Sequence, residues 1–331
     1  MTASVLDLRN LTVEYRRGHG KPPLTALREA CLTVAPGETV ALAGESGSGK
    51  STLGNAVLGL VPVTSGTITF QGEDITRASP RRRRALTQDM QAVFQDPYGS
   101  LNPVRAIGPT LAEPLLVHQR LGRAAVAARV AAALERVGLR ADAAGMYPAQ
   151  FSGGQRQRIA IARALMLSPR LIICDEPLSA LDLSVQAQVI NLLKDIQRDL
   201  GVSYLFTTHD LSVIPHIAHR LAVLYRGRVV EAGPADQVCA RPEHPYTQEL
   251  LSAAPVPDPA QQRARQRPRK PAEASAVTPP GGCVFAPRCP QANDACTAGD
   301  PAVFTTSAGG SVACGRYPEL TRHLTGSLGD Q

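Results

Sequence analysis

The sequence predicts an α/β protein: a largely parallel sheet interrupted by a helical insertion, with a small cysteine-bearing extension near the C-terminus. Three observations predict it. Short apolar runs broken by Gly and Pro (LDLRNLTVEY, CLTV, TVALAG, GTITF) fill Ser4 to Thr69 and have the alternation of strands. Similar runs return as LIICD, SYLFTT and RLAVLY, separated by a helical stretch over Val185 to Leu200, and this is the rhythm of parallel β-α-β units. Between the two halves, from roughly Asn102 to Leu167, the apolar period becomes helical.

Each element has a local reason. A helix is expected to start near Lys50, where a glycine-rich loop ends. In RAAVAARVAAALERVGL, Val126, Val130, Leu134 and Val137 share one helical face, and Gly138 supplies the stop. From about Pro255 the chain becomes PVPDPAQQRARQRPRKPAEASAVTPPGG, which has no period and is expected to be an extended linker. The expected division is therefore a main domain over 1–254 with its helical part at about 99–160, a linker over 255–280, and a cysteine-containing region over 281–331. No internal repeat is visible.

Composition narrows the function classes. At 331 residues and 44% hydrophobic content, the chain can bury one substantial core and carry a smaller module. No run approaches the roughly 18 to 20 apolar residues of a membrane span, and MTASVLDLRN lacks the pattern of a secretory signal. A cytoplasmic location is the expectation. The net charge of +7 suits nucleic acid, an anionic membrane face or a phosphorylated ligand equally well. Much of the excess lies in Arg81 to Arg84 and in the linker arginines, where solvated charge is the expected state.

Two stretches carry chemistry. GESGSGKST, comprising Gly44, Glu45, Ser46, Gly47, Ser48, Gly49, Lys50, Ser51 and Thr52, has the phosphate-loop spacing between a strand-like run and a helical one. Glycines there let successive backbone N–H groups face a polyphosphate, Lys50 neutralises its β and γ groups, and the Ser51 hydroxyl ligates Mg2+. LIICDEP places Asp175 and Glu176 at the carboxyl end of a buried strand, where open α/β sheets bind ligands. Asp175 is expected to hold Mg2+ through water, and Glu176 to orient or deprotonate an attacking water.

A third stretch, FSGGQRQRIAIARAL, supplies a second anion site: Ser152 is an N-cap candidate, and Gly153 and Gly154 expose amides at a helix start. With it the chain resembles the ATP-binding cassette family, in which Ser152, Gly153, Gly154 and Gln155 match the signature that meets ATP held by a second cassette. The resemblance implies a P-loop (RecA-like) core with an antiparallel β subdomain. It also implies roles for Gln95 in VFQDP at the Mg2+, Asp182 in SALD at a dimer interface, His209 in TTHD at the γ phosphate, and Tyr15 against adenine. FQDPYGSLNPVRAIGPTLAEPL and RPEHPYTQELLSAAPVPDP resemble the ATPase subunits of oligopeptide, dipeptide and nickel importers, and CDEPLSALDLSVQAQVINLL is similar to the second of the two ATPases such importers usually carry. Pro109 after Gly108 departs from that pattern, at a helix start where proline is tolerated.

The resemblance implies ATP and Mg2+ as ligands, a second ATPase subunit, identical or distinct, and two transmembrane permease subunits. An extracytoplasmic binding protein acts indirectly, and the ATPase is peripheral at the cytoplasmic face. Two other classes were weighed: a soluble cassette ATPase acting on nucleic acid or ribosomes, prompted by RRRR, and a regulator whose output is ATP binding. The first usually needs paired cassettes or a coiled-coil insertion, absent from this sequence, so no nucleic-acid partner is expected. The second does not require the full set of Glu176, His209 and signature residues.

Four of the seven cysteines, Cys283, Cys289, Cys296 and Cys314, cluster late, with five, six and seventeen residues between them. These spacings lack the close pairs of structural zinc and leave zinc, an iron–sulfur cluster and free thiols open. PPGGCVFAPRCP followed by VACG resembles the tail of the peptide-importer ATPases, some of which carry a [4Fe-4S] cluster there. Cys31, Cys174 and Cys239 fit strands or a surface turn, with Cys174 facing away from Asp175.

Overall fold

The computed structural model describes residues 4–18, 20–96, 99–253, 281–306 and 309–317; the expected linker over 255–280 lies outside them. The chain opens with an antiparallel pair, β1 (Leu6–Tyr15) and β2 (Leu24–Val34), then enters β3 (Thr39–Ala43) and α1 (Lys50–Leu58). β4 (Ser65–Phe70), β5 (Glu73–Asp74), α2 (Pro80–Leu86) and β6 (Met90–Val93) follow. The helical insertion contains α3 (Ile107–His118), α4 (Arg123–Arg136) and the start of α5 (Gly153–Leu165). β7 (Leu171–Asp175), α6 (Leu183–Leu200), β8 (Ser203–Thr208), α7 (Ile214–Ile217) and β9 (Arg220–Tyr225) complete the parallel core. Last come β10 (Arg228–Pro234), α8 (Ala235–Ala240), α9 (Pro245–Ala253), α10 (Ala295–Ala298), β11 (Val303–Thr305) and β12 (Ser311–Ala313).

Two sheets result. A four-stranded antiparallel sheet has the order β2-β1-β4-β5, and the main sheet runs β11-β12-β10-β9-β3-β8-β7-β6. β9, β3, β8, β7 and β6 are parallel, while β10, β12 and β11 pair antiparallel at one edge. The three late strands start and end where LIICD, SYLFTT and RLAVLY do. Their interiors are apolar because both faces are covered, as parallel sheets require, and their polar residues lie at the strand ends. One face packs with α1 against the antiparallel sheet through Leu6, Leu8, Leu42, Leu53 and Ile68; the other packs against α5 and α6 through Ile159, Ile172, Val189 and Phe206. Each such side chain contributes roughly 1.5–3 kcal/mol by leaving water.

The insertion follows its pattern. Val126, Val130, Leu134 and Val137 are buried, and Gly138 ends the helix with φ +75°. Pro109 occupies the first turn of α3, where its missing N–H costs nothing.

Two expectations are corrected. The arginine run forms α2, capped by Ser79 accepting from the Arg82 N–H, with Pro80 at its first position. Within it Arg83 is not solvated: its guanidinium donates to the carbonyls of Val57 at 2.7 Å and Ile75 at 2.6 Å. Cys239 lies in α8 rather than in a strand or turn. The tail folds back onto the core, with β12 extending the main sheet through β10 and Phe285 buried against Tyr225 and Tyr246. Among the described residues, no helix is long and apolar enough to cross a membrane.

Candidate active site

β3 is buried along its length and delivers the chain to the glycine-rich loop at the carboxyl edge of the parallel strands. The backbone there admits only glycine at two points. Gly44 has φ +152°, and a Cβ would meet the Leu224 carbonyl oxygen at 2.2 Å; Gly49 has φ +111°, with the Ala26 carbonyl oxygen 2.6 Å from that position. α1 then begins without a side-chain cap and without an acid in its first turn, so its open N–H groups and positive end suit a polyphosphate.

Lys50, the first residue of α1, is 4% exposed. Its Nζ donates to the carbonyl oxygens of Gly44 at 2.8 Å and Glu45 at 3.0 Å, and lies 3.8 Å from Glu176 Oε1. Burial pushes the Lys50 pKa down, and the charges of Glu176, Asp175 and Glu45 pull it back up. The next residue, Ser51, donates its hydroxyl to Asp175 Oδ1 at 3.0 Å. This hydroxyl and carboxylate are hard oxygen donors of the kind Mg2+ takes. Tyr15 stands at the edge of the loop, its hydroxyl 3.4 Å from Thr52 Oγ1, with 36% of its surface exposed.

Glu176 leaves β7 in the left-handed region, at φ +47°. A non-glycine residue held there costs about 1–3 kcal/mol and persists only when neighbours fix it. Here Thr207 fixes it: the Thr207 hydroxyl accepts the Glu176 N–H at 2.9 Å and donates to Asp175 Oδ1 at 2.8 Å. The Glu176 carboxylate is thereby turned toward Lys50, with Gln95 Nε2 donating to Oε2 at 3.3 Å and His209 Nδ1 at 3.0 Å from the same oxygen. Sequence reasoning missed Thr207. The signal available was a pair of threonines ending an otherwise apolar strand one residue before His209.

Ser152, Gly153, Gly154 and Gln155 stand apart from this cluster. Ser152 Oγ accepts the Gln155 N–H at 3.3 Å while Gln155 Oε1 accepts the Ser152 N–H at 2.9 Å, a reciprocal cap on α5. Asp182 caps α6 one way, accepting from the Ser184 hydroxyl at 2.8 Å and the Val185 N–H at 3.0 Å, bonds that hold its carboxyl below the usual range. The two helix starts are in contact. A Cβ on Gly154 would lie 2.4 Å from Val185 Cγ1. Among the described residues, no hydrogen bond or ion pair links this pair of caps to Lys50, Asp175 or Glu176.

A glycine-rich loop with Lys50 and Ser51 facing Asp175 and Glu176 is the arrangement of a nucleotide-binding P-loop protein, and the separate Ser-Gly-Gly helix start makes it one of the cassette type. Residues 27–179 match the family model described as ABC transporter, and residues 230–296 match the one described as Oligopeptide/dipeptide transporter, C-terminal region. The chain is 44% identical over 333 residues to the probable peptide ABC transporter ATP-binding protein y4tS of Sinorhizobium fredii (strain NBRC 101917 / NGR234), covering 99% of this chain and 94% of that one. It is 45% identical over 319 residues to the oligopeptide transport ATP-binding protein OppF of Escherichia coli (strain K12), covering 94% and 95%. The dimeric structure of a post-hydrolysis state of the ATP-binding cassette MJ0796 bound to ADP and Pi superposes with a TM-score of 0.63 at 30% identity, covering 70% of this chain and 98% of that one. The chain belongs to the ATP-binding subunits of the oligopeptide/dipeptide ABC transporter family, whose members are ATPases.

The cysteine tail forms a second locus. Cys283, Cys289, Cys296 and Cys314 line one pocket together with His244 and Phe285. The Cys283 N–H donates to the Cys296 carbonyl at 2.8 Å, which closes the loop between them. Burial pushes the Cys289 thiol up to about 11 and raises those of Cys283 and Cys314. Among the described residues, no three His, Cys, Asp or Glu side chains converge on one metal-ion position. A [4Fe-4S] cube takes one thiolate on each of four irons, so it needs sulfurs spread around a cavity rather than converging on a point.

Proposed function

We propose that this chain is the ATP-hydrolysing subunit that energises uptake of di- or oligopeptides, or a similar small solute, through two separate permease subunits. It works peripherally at the cytoplasmic face, with an extracytoplasmic binding protein delivering the solute. The observation that carries the reading is the divided site: the Lys50–Glu176 cluster is assembled within the chain, whereas among the described residues no hydrogen bond or ion pair joins the Ser152 cap to it. A second cassette, identical or distinct, supplies the missing half. Each ATP then lies between one phosphate loop and the other chain's Ser152 segment.

Within that arrangement each residue has one task. The loop amides and Lys50 bind the phosphates, Ser51 and Asp175 hold Mg2+, and Tyr15 lies beside the base. Mg2+, when bound there, would offset the negative charge of the phosphates. Glu176 takes a proton from the attacking water at its carboxylate. Gln95 joins the Mg2+ site and His209 meets the γ phosphate, both also bonded to the Glu176 carboxylate, and Asp182 lies where the second cassette docks. The reading divides the chain into an ATP-binding domain over 1–254 and a tail over 281–331, although the oligopeptide/dipeptide C-terminal match begins earlier, at residue 230. The test is reconstitution with the permeases and binding protein in liposomes. Labelled peptide should accumulate only with ATP, and Lys50→Ala should abolish both uptake and hydrolysis; accumulation that survives Lys50→Ala would overturn the reading.

The tail pocket is read as the seat of a [4Fe-4S] cluster, supported by four thiols lining one pocket; with a void of about 10 Å³, room for one water, the tail loop must open to admit the cube. When bound, such a cluster supplies a rigid covalent clip. The protein's part is to present Cys283, Cys289, Cys296 and Cys314 from a folded loop shielded by Phe285. Anaerobic purification should yield brown protein with about four irons per chain. Colourless, iron-free protein with four titratable thiols would refute it.

A further inference from the structure

We propose that Arg288, on the cysteine-bearing tail, is a positioning residue for the phosphate loop. Its target is Glu45, the residue after Gly44, and every polar group of Glu45 is occupied. The Glu45 N–H donates to the Tyr246 hydroxyl at 3.0 Å, and its carbonyl accepts from Lys50 Nζ at 3.0 Å. Its carboxylate receives both arms of the Arg288 guanidinium, Nη1 to Oε2 and Nη2 to Oε1, each at 3.0 Å. Two of these three anchors, Tyr246 and Arg288, come from residues about 200 and 240 positions away in the chain.

Arg288 is itself held in place. Nη2 also donates to Glu249 at 2.6 Å, and the guanidinium lies over the rings of Tyr225 and Phe285 at 5.7 Å and 5.8 Å. It sits in a tight turn in which the Arg288 and Cys289 N–H groups both donate to the Phe285 carbonyl, at 2.9 Å and 3.0 Å. That turn is bounded by Cys283 and Cys289, so the cysteine pocket and the phosphate loop share one short link. An isolated pair with a half-exposed carboxylate contributes little to stability. Here the consequence is conformational: a planar fork fixes the carboxylate in two places, and the loop it fixes must keep its amides turned to the phosphates. Apparent affinity falls in proportion to the fraction of loops that are binding-competent, so releasing Glu45 weakens ATP binding without touching the hydrolytic carboxylate.

The inference rests on the phosphate-loop reading above, and the test separates the two. Binding of a non-hydrolysable ATP analogue with Mg2+ is measured by calorimetry on the full chain. Lys50→Ala should abolish binding, and retained binding would remove the loop reading itself. With that control in place, Arg288→Ala should raise Kd about three- to tenfold. Arg288→Lys should recover part of the loss, and in the assembled transporter KM should rise while kcat changes less than twofold. Glu45→Gln should match Arg288→Ala, with the double variant no weaker than either. A Kd within twofold of wild type for Arg288→Ala, or single effects that multiply in the double variant, would overturn the proposal. Where Arg288→Ala fails to fold, the Arg288→Lys and Glu45→Gln pair runs the same cycle with the same criteria.

Discussion

Thr207 joins the two acids that the sequence pointed to most clearly. Its hydroxyl ties Asp175 to the Glu176 backbone and holds a left-handed residue in place. Thr207→Val keeps the shape, removes the donor, and leaves the Glu176 N–H without its acceptor, a loss of about 1–3 kcal/mol at the site. The expected outcome is a kcat roughly tenfold lower with KM for ATP changed much less, and near-normal kcat in Thr207→Ser. A wild-type kcat in Thr207→Val would show that the strain is held elsewhere. At this scale Lys50, Asp175 and Glu176 were legible because each lies at a strand end or glycine motif that dictates its place, whereas His209 was named through the family resemblance. Thr207 was not legible, because a threonine in a strand looks like any β-branched residue until its neighbour strand is known.

Among the elements, the strands of the parallel core were the most legible, since burial on both faces leaves a short, mostly apolar run. α2 was not. Four successive arginines suggest solvated charge, and only the tertiary structure reveals that Arg83 donates to the carbonyls of Val57 and Ile75. The stretch around the start of α9 was read only as a family resemblance, which assigned no role to its His244 and Tyr246. His244 is buried, its Nδ1 accepting the Tyr246 N–H at 3.0 Å, and burial lowers its pKa from 6.5 to about 4. Between those values the unfolded chain binds a proton that the folded chain does not. Stability is therefore lost as pH falls from 6.5 toward 4, by about 3 kcal/mol at most. Neighbouring Glu231, raised by burial, acts in the opposite sense, but it is common to both proteins compared. Urea unfolding across that range should give a shallower loss for His244→Asn than for wild type, and parallel curves would contradict the assignment.

The whole molecule joins parts that are far apart in sequence. Local patterns identified the phosphate loop, the Ser152 cap and the cysteine tail separately, but the contact between Arg288 and Glu45 spans most of the chain and leaves no local trace. The same limit applies to the second cassette, which supplies the other half of each ATP site in this account. Its central claim is that Glu176 is the base of a hydrolytic site completed on assembly. The most direct measurement is ATP turnover by Glu176→Gln in the transporter assembled with its partner subunits, alongside equilibrium ATP binding. The account predicts that hydrolysis at this chain's site falls about 100- to 10,000-fold while ATP stays bound. Turnover at the wild-type rate would contradict it.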